Sequence, residues 1–144
     1  MKIVLDTNIY LAASAKNSEV CRSLFINLIT NNAYQLYISP DILLELHKKA
    51  SLLINEGLLN IKAFKKLVLL IYRKIHFITP KINLADLNVV RDLNDNKILE
   101  CALACKANLI ISMDKDLLKL KNYETTGIIH PMTLTYIIGS HELF

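Results

Sequence analysis

The segment KIVLDTN, residues Lys2 to Asn8, runs from four residues that favour a buried strand straight into three small polar side chains. Short apolar runs rich in β-branched residues are what central strands covered on both faces look like. The same kind of run returns at Leu36 to Ile38, His76 to Ile78, Leu109 to Ile111 and Ile128 to Ile129. Helix-length segments lie between them. Strand followed by helix, repeated along a chain, predicts a parallel α/β sheet with right-handed crossovers. Asp6 then stands where the first strand ends.

Local signals place the helices. Ser39 as N-cap with Pro40 at the first helical position opens one through DILLELHKKA. Asn60 to Ile75 reads as an amphipathic helix with Ile61, Phe64, Leu67, Val68, Ile71 and Ile75 on one stripe and Lys62, Lys65, Lys66, Arg73 and Lys74 elsewhere. Asn94 is expected to cap a further helix from Asp95 to about Ala107, which leads into the strand of ANLIIS.

The bulk properties narrow the classes. A chain of 144 residues, 53% of them apolar, can bury a core without disulfides or metals, and no repeat or linker divides it. A single domain over residues 1–144 is expected. Seventeen basic against thirteen acidic residues give +4, a balance that favours encounter with polyanions without dictating chemistry. Cys21, Cys101 and Cys105 are odd in number and form no CxxC, so neither a disulfide framework nor a zinc site is indicated, and a reducing cytoplasm fits. Lys2, an apolar stretch and Ala12 to Ala15 imitate an export signal, but Asp6 and Asn8 interrupt its apolar part. The longest purely apolar run elsewhere, Leu67 to Tyr72, is far below the roughly 20 residues of a membrane span. With only Gly57, Gly127 and Gly139, the phosphate-binding P-loop and the dinucleotide turn are missing. His47, His76, His130 and His141 show no metal-ligand spacing, and no GxSxG elbow is found.

In an open parallel sheet, ligands bind beyond the carboxyl ends of the strands where strand order reverses. Four acids fall near that edge: Asp6 after the first strand, Glu45 one turn into the helix after the second, Asp95 at the start of the helix before the fourth, and Asp114 after that strand. Carboxylates gathered without a base repel one another and raise each other's pKa unless a cation sits among them. Oxygen-only ligands select hard cations such as Mg²⁺ or Mn²⁺. The chemistry indicated is metal-assisted hydrolysis of a phosphodiester by an activated water. Each acid also has a plainer role open to it. Asp6 suits a turn that bonds its own backbone. Asp95 suits the positive end of a helix, Glu45 a solvated helix edge, and Asp114 and Asp116 a turn and a cap.

Four motifs, VLDTN, SPDILLEL, VRDLNDNKILECAL and ANLIISMDKDLL, occur in this order from Met1 to about Thr133. Together they resemble the PIN domain, particularly its bacterial and archaeal toxin-antitoxin branch. The resemblance implies a three-layer α/β/α sandwich around a parallel sheet of about five strands, and Mg²⁺- or Mn²⁺-dependent cleavage of single-stranded RNA. It implies Asp6, Glu45, Asp95 and Asp114 as the acidic site, with Asp116 as an alternative or additional fourth ligand. Thr7, Asn8 and Ser112 would support them. A small antitoxin protein and a homodimer are the partners it implies. Departures from the family pattern are Asn94 and Asn96 beside Asp95, Ser112 where threonine is usual, and Met113.

Arg91, Lys97, Lys48 and Lys49 are expected to line a positive rim for the RNA backbone. The lysines of residues 62–74 suit either that rim or a solvated helix face. Two other functions stay open on the sequence: a PIN-like module that binds RNA or protein without cutting, and a structure-specific DNA nuclease.

Overall fold

The computed structural model describes residues 1–15, 18–81 and 95–142. Strand β1 (Lys2–Leu5) is followed by helices α1 (Thr7–Ser14) and α2 (Glu19–Thr30), strand β2 (Gln35–Ile38), helices α3 (Pro40–Asn55) and α4 (Ile61–Lys74), and strand β3 (His76–Phe77). Helix α5 (Asn96–Cys105), strand β4 (Leu109–Ile111), helix α6 (Lys115–Leu120), strands β5 (Asn122–Tyr123) and β6 (Thr126–Ile129), and helix α7 (Pro131–Glu142) complete the described elements. The strands form one sheet in the order β3-β2-β1-β4-β6-β5. The five expected strands are all parallel. A sixth, β5, was not expected and pairs antiparallel with β6.

β1 is central because Ile3, Val4 and Leu5 are fully buried and so need cover on both faces. β3 is the exception to that pattern. Both His76 and Phe77 are exposed, because β3 is a two-residue edge strand rather than a covered one. Ile3, Ile38, Ile42, Leu46, Ile71, Leu99 and Ile110 belong to one buried apolar cluster that joins the sheet to α3, α4 and α5.

The caps explain where the helices start. The Ser39 hydroxyl accepts the Ile42 N–H at 3.2 Å, and Pro40 occupies the first turn of α3. The Asn60 side chain accepts from Lys62 and Ala63 at the head of α4. Phe64, Leu67 and Ile71 form the buried stripe of α4, and Ile75 is buried just beyond it. Ile61 departs from the expected stripe: it is 51% exposed, since it sits ahead of the first turn that meets the core. α5 ends earlier than the periodicity predicts. Lys106 takes a left-handed φ of 54° there, and the N–H of Ala107 closes on the Ala102 carbonyl at 2.9 Å. The expected cap Asn94 lies outside the described residues; Asp95 occupies the capping position.

The chain runs from β1 to β2 on one side of the sheet and returns to β4 on the other. Strand order therefore reverses between β1 and β4, and the crevice at their carboxyl ends is where this architecture binds ligands.

Candidate metal centre

The backbone itself brings the first acid to that crevice. The Asp6 N–H donates to the Ile111 carbonyl at 3.0 Å, and the Ser112 N–H donates to Ile129 at 3.1 Å, so the ends of β1, β4 and β6 are level. Asp6 is buried, and both of its carboxylate oxygens are held. Oδ1 accepts the Thr7 N–H and Oδ2 accepts the Ser112 hydroxyl, each at 2.7 Å. Burial raises the Asp6 pKa above the ordinary carboxylate range; the bonds from Ser112 and Thr7 and the charge of Lys49 act against this, and the charge of Glu45 adds to it. Asp6 does bond the neighbouring backbone, as its plainer role requires, though as the cap of α1 instead of a free turn. A cap needs no second bond to a strand end 106 residues away.

Ser112 is a junction. Its hydroxyl donates to Asp6 and accepts the Asp114 N–H at 3.0 Å. Asp114 caps α6, its Oδ1 accepting from Asp116 at 2.7 Å and from Leu117 at 3.3 Å. One carboxylate oxygen from each of Asp95, Asp114 and Asp116 lies within 4.8 Å of the others. Asp95 is buried at the head of α5 but makes no capping bond to that helix, so capping does not account for it.

Glu45 approaches from α3. Its side chain is only 13% exposed, which removes the solvated-edge alternative. The Thr7 hydroxyl donates to Oε2 at 2.9 Å, Lys97 stands 3.5 Å from the same oxygen, and Lys49 stands 3.4 Å from Oε1. Lys49 also reaches the side chain of the exposed Asn8, at 3.4 Å. Lys48 is exposed, and Arg91 lies outside the described residues.

Asp95, Asp114 and Asp116 thus converge, Asp6 joins them through Ser112, and Glu45 joins Asp6 through Thr7. The described residues at the centre offer oxygen donors and neither histidine nor thiolate, the set that suits a hard divalent cation. Asn96, next to Asp95, is 3% exposed, and neither its Oδ1 nor its Nδ2 has a hydrogen-bond partner among the described residues. A buried amide in that state belongs to a polar pocket whose bonding is incomplete. The residues present fit a cation. The sequence marked Asn96 only as a departure from the family pattern, and placed Lys49 and Lys97 on a rim without their contact with Glu45; a lysine next to an acidic motif was the signal.

One test arises directly from the junction. Ser112→Ala removes the donor to Asp6 and the acceptor for the Asp114 N–H, and is expected to weaken Mn²⁺ binding about 10- to 100-fold, the usual cost of losing a group that orients ligands. Calorimetric titration with Mn²⁺ checks this. An unchanged affinity would mean that Asp6 and Asp114 need no such tether.

Comparison with known proteins agrees with this geometry. The chain is 32% identical over 123 residues to an uncharacterized protein of Methanocaldococcus jannaschii, covering 85% of this chain and 76% of that one. Its fold is similar to a chain of the VapBC2 complex of Rickettsia felis, solved bound to a DNA fragment from the promoter, with a TM-score of 0.61 at 17% identity over 90% of this chain and 98% of the other. The family model described as PIN domain matches residues 2–116, which span every acid of the centre, and the chain belongs to the PIN domain family.

Proposed function

We propose that the protein is a divalent-metal-dependent endoribonuclease that cleaves single-stranded RNA, acting as the toxin of a toxin-antitoxin pair. The observation that carries this reading is the meeting of Asp95, Asp114 and Asp116 within 4.8 Å, tied to buried Asp6 through Ser112. Asp95 and Asp114 would hold Mg²⁺ or Mn²⁺, with Asp116 beside them as an alternative or additional fourth acid and Asp6 and Glu45 completing the acidic wall. When bound, such a cation supplies Lewis acidity toward a water and toward the phosphate oxygens. The chain's own residues do the rest. Ser112 fixes the carboxylate of Asp6 and the peptide of Asp114, Thr7 orients both Asp6 and Glu45, and Asn8 steadies Lys49. Lys48, Lys49 and Lys97 form the positive side along which an RNA backbone lies, and Arg91, outside the described residues, is proposed as a further RNA contact.

The fold shared with a VapBC2 chain supports a small antitoxin as partner; a homodimer is proposed as the assembly on the family resemblance alone. Action in the cytoplasm is part of this proposal; no described helix is long and apolar enough to cross a membrane.

The ion pairs of Lys49 and Lys97 with Glu45 favour a second reading, a non-catalytic module whose acids are neutralised from within. Cleavage of a labelled single-stranded RNA with Mg²⁺, with Mn²⁺ and with EDTA separates the two, with a flapped DNA duplex as the third substrate. Metal-dependent cutting of RNA alone is the expected result. Cutting of the flap in preference would make the protein a DNA nuclease, and no cutting by the folded protein would leave the binding module.

A further inference from the structure

Lys97 sits where a lysine is unfavourable. It occupies the first turn of α5, two residues after Asp95, and a cation at a helix amino terminus opposes the helix dipole. Lys49 needs no special account, since Glu45 and Lys49 are an ordinary i, i+4 pair along α3 and Lys49 is 41% exposed. The Lys97 pair is different in kind. It bridges α5 and α3, and its side chain is 21% exposed against 13% for Glu45. An ion pair between two elements, less wet than the neighbouring one, compensates for the unfavourable place in the helix.

Glu45 Oε2 already has two close partners in this arrangement. It accepts the Thr7 hydroxyl at 2.9 Å and lies 3.5 Å from the Lys97 ammonium. A cation bound at Oε2, at about 2.1 Å, would compete with those two partners for the oxygen. Thr7 is completely buried at the start of α1 and cannot move without the helix. Lys97 has a flexible four-carbon stem and partial access to solvent, so it is the one that moves.

We infer that Lys97 is an exchangeable counter-ion, holding Glu45 while the centre is empty of metal and passing to a phosphate of the substrate backbone once a divalent cation takes Glu45. This rests on the metal-dependent nuclease proposed above. It also turns the Glu45 ion pairs from an argument for an inactive module into a step of charging the site: the ammonium keeps clustered acids from repelling one another, and is released toward the anion that must bind next. Lys97 is thereby a positioning residue in the metal-free protein and a substrate contact in the loaded one.

Lys97→Met keeps the aliphatic stem and deletes the charge. Measured by calorimetric titration without RNA, K97M is expected to bind Mn²⁺ about fivefold more tightly than the parent, the scale on which a partly exposed ion pair acts. The KM for single-stranded RNA at saturating Mn²⁺ is expected to rise about tenfold, the scale of a lost charge-assisted bond to phosphate. K97R, which preserves the charge, should keep the Mn²⁺ affinity of the parent. The opposite signs are decisive, because a merely structural lysine would weaken both properties on removal. Unchanged or weaker Mn²⁺ binding by folded K97M overturns the inference while leaving the nuclease intact. A parent protein that binds no Mn²⁺ and cuts no RNA fails at the earlier step, and is recognised before any variant is compared. K97Q is read by the same criteria should K97M not fold.

Discussion

Asp6→Asn is expected to lower metal-dependent RNA cleavage by more than about 100-fold, beyond the usual cost of removing a residue that only orients a ligand, while the metal-free protein becomes at least as stable as the parent at neutral pH. The two halves come from one fact. Asp6 is a buried carboxylate whose pKa is raised, first by desolvation and then by Glu45, against the bonds from Ser112 and Thr7 and the charge of Lys49. A native pKa above the unfolded one means that the folded state binds the proton more tightly. Its contribution to stability is fully present below the unfolded value of 3.8 and is lost as pH rises through the native value. Asparagine has no charge to desolvate and keeps an oxygen for the Thr7 N–H. Thermal midpoints in EDTA should therefore differ little between D6N and parent in acid, with D6N gaining as the pH passes through the raised pKa. The activity moves the opposite way, since the cation loses a charged ligand in the wall that attracts it. A D6N protein that cuts at the parental rate would remove Asp6 from the centre. A D6N protein less stable than the parent at neutral pH would show that the carboxylate is needed for the fold.

How much of this was legible beforehand depends on the range of each interaction. The cap at Ser39 acts within three residues and was visible as a sequence pattern, as were the helix starting near Asn60 and the run Ile3 to Leu5. The β5–β6 hairpin was not. Its connecting residues are Glu124 and Thr125, with Glu124 at a left-handed φ of 54°, and the Asn-Gly type of signal that marks such a turn is missing. The acids could be chosen because each follows a strand or opens a helix, a relation the topology rule makes general. Their partners could not. The Ser112 to Asp6 bond spans 106 residues, and the Lys97 to Glu45 pair joins two helices with no common pattern. Periodicity says which face of α5 is apolar and is silent on where its first lysine reaches.

The same difference in range decides between Asp114 and Asp116. Asp114 is held three times over: its N–H donates to Ser112, and its Oδ1 accepts from Asp116 and Leu117. A carboxylate anchored through one oxygen presents the other in a set direction, which lowers the entropy lost when it binds a cation. Asp116 lies in the first turn of α6 with its carboxylate in the same cluster, and its own N–H is one of the donors that fix Asp114. Asp114→Asn is therefore expected to reduce cleavage by more than about 100-fold and Asp116→Asn by about 10-fold, on the scale that separates a ligand from a supporting group. Because asparagine caps a helix as well as aspartate does, D114N should unfold near the parental temperature. Asp114→Ala, which loses the cap too, should cost a further ~1 kcal/mol of stability. Cleavage rates and urea unfolding of the three variants test this together. If D116N proves the more damaging to cleavage, the fourth ligand is Asp116, and the hydrogen bonds that Asp114 makes serve to aim α6 and not to grip the cation.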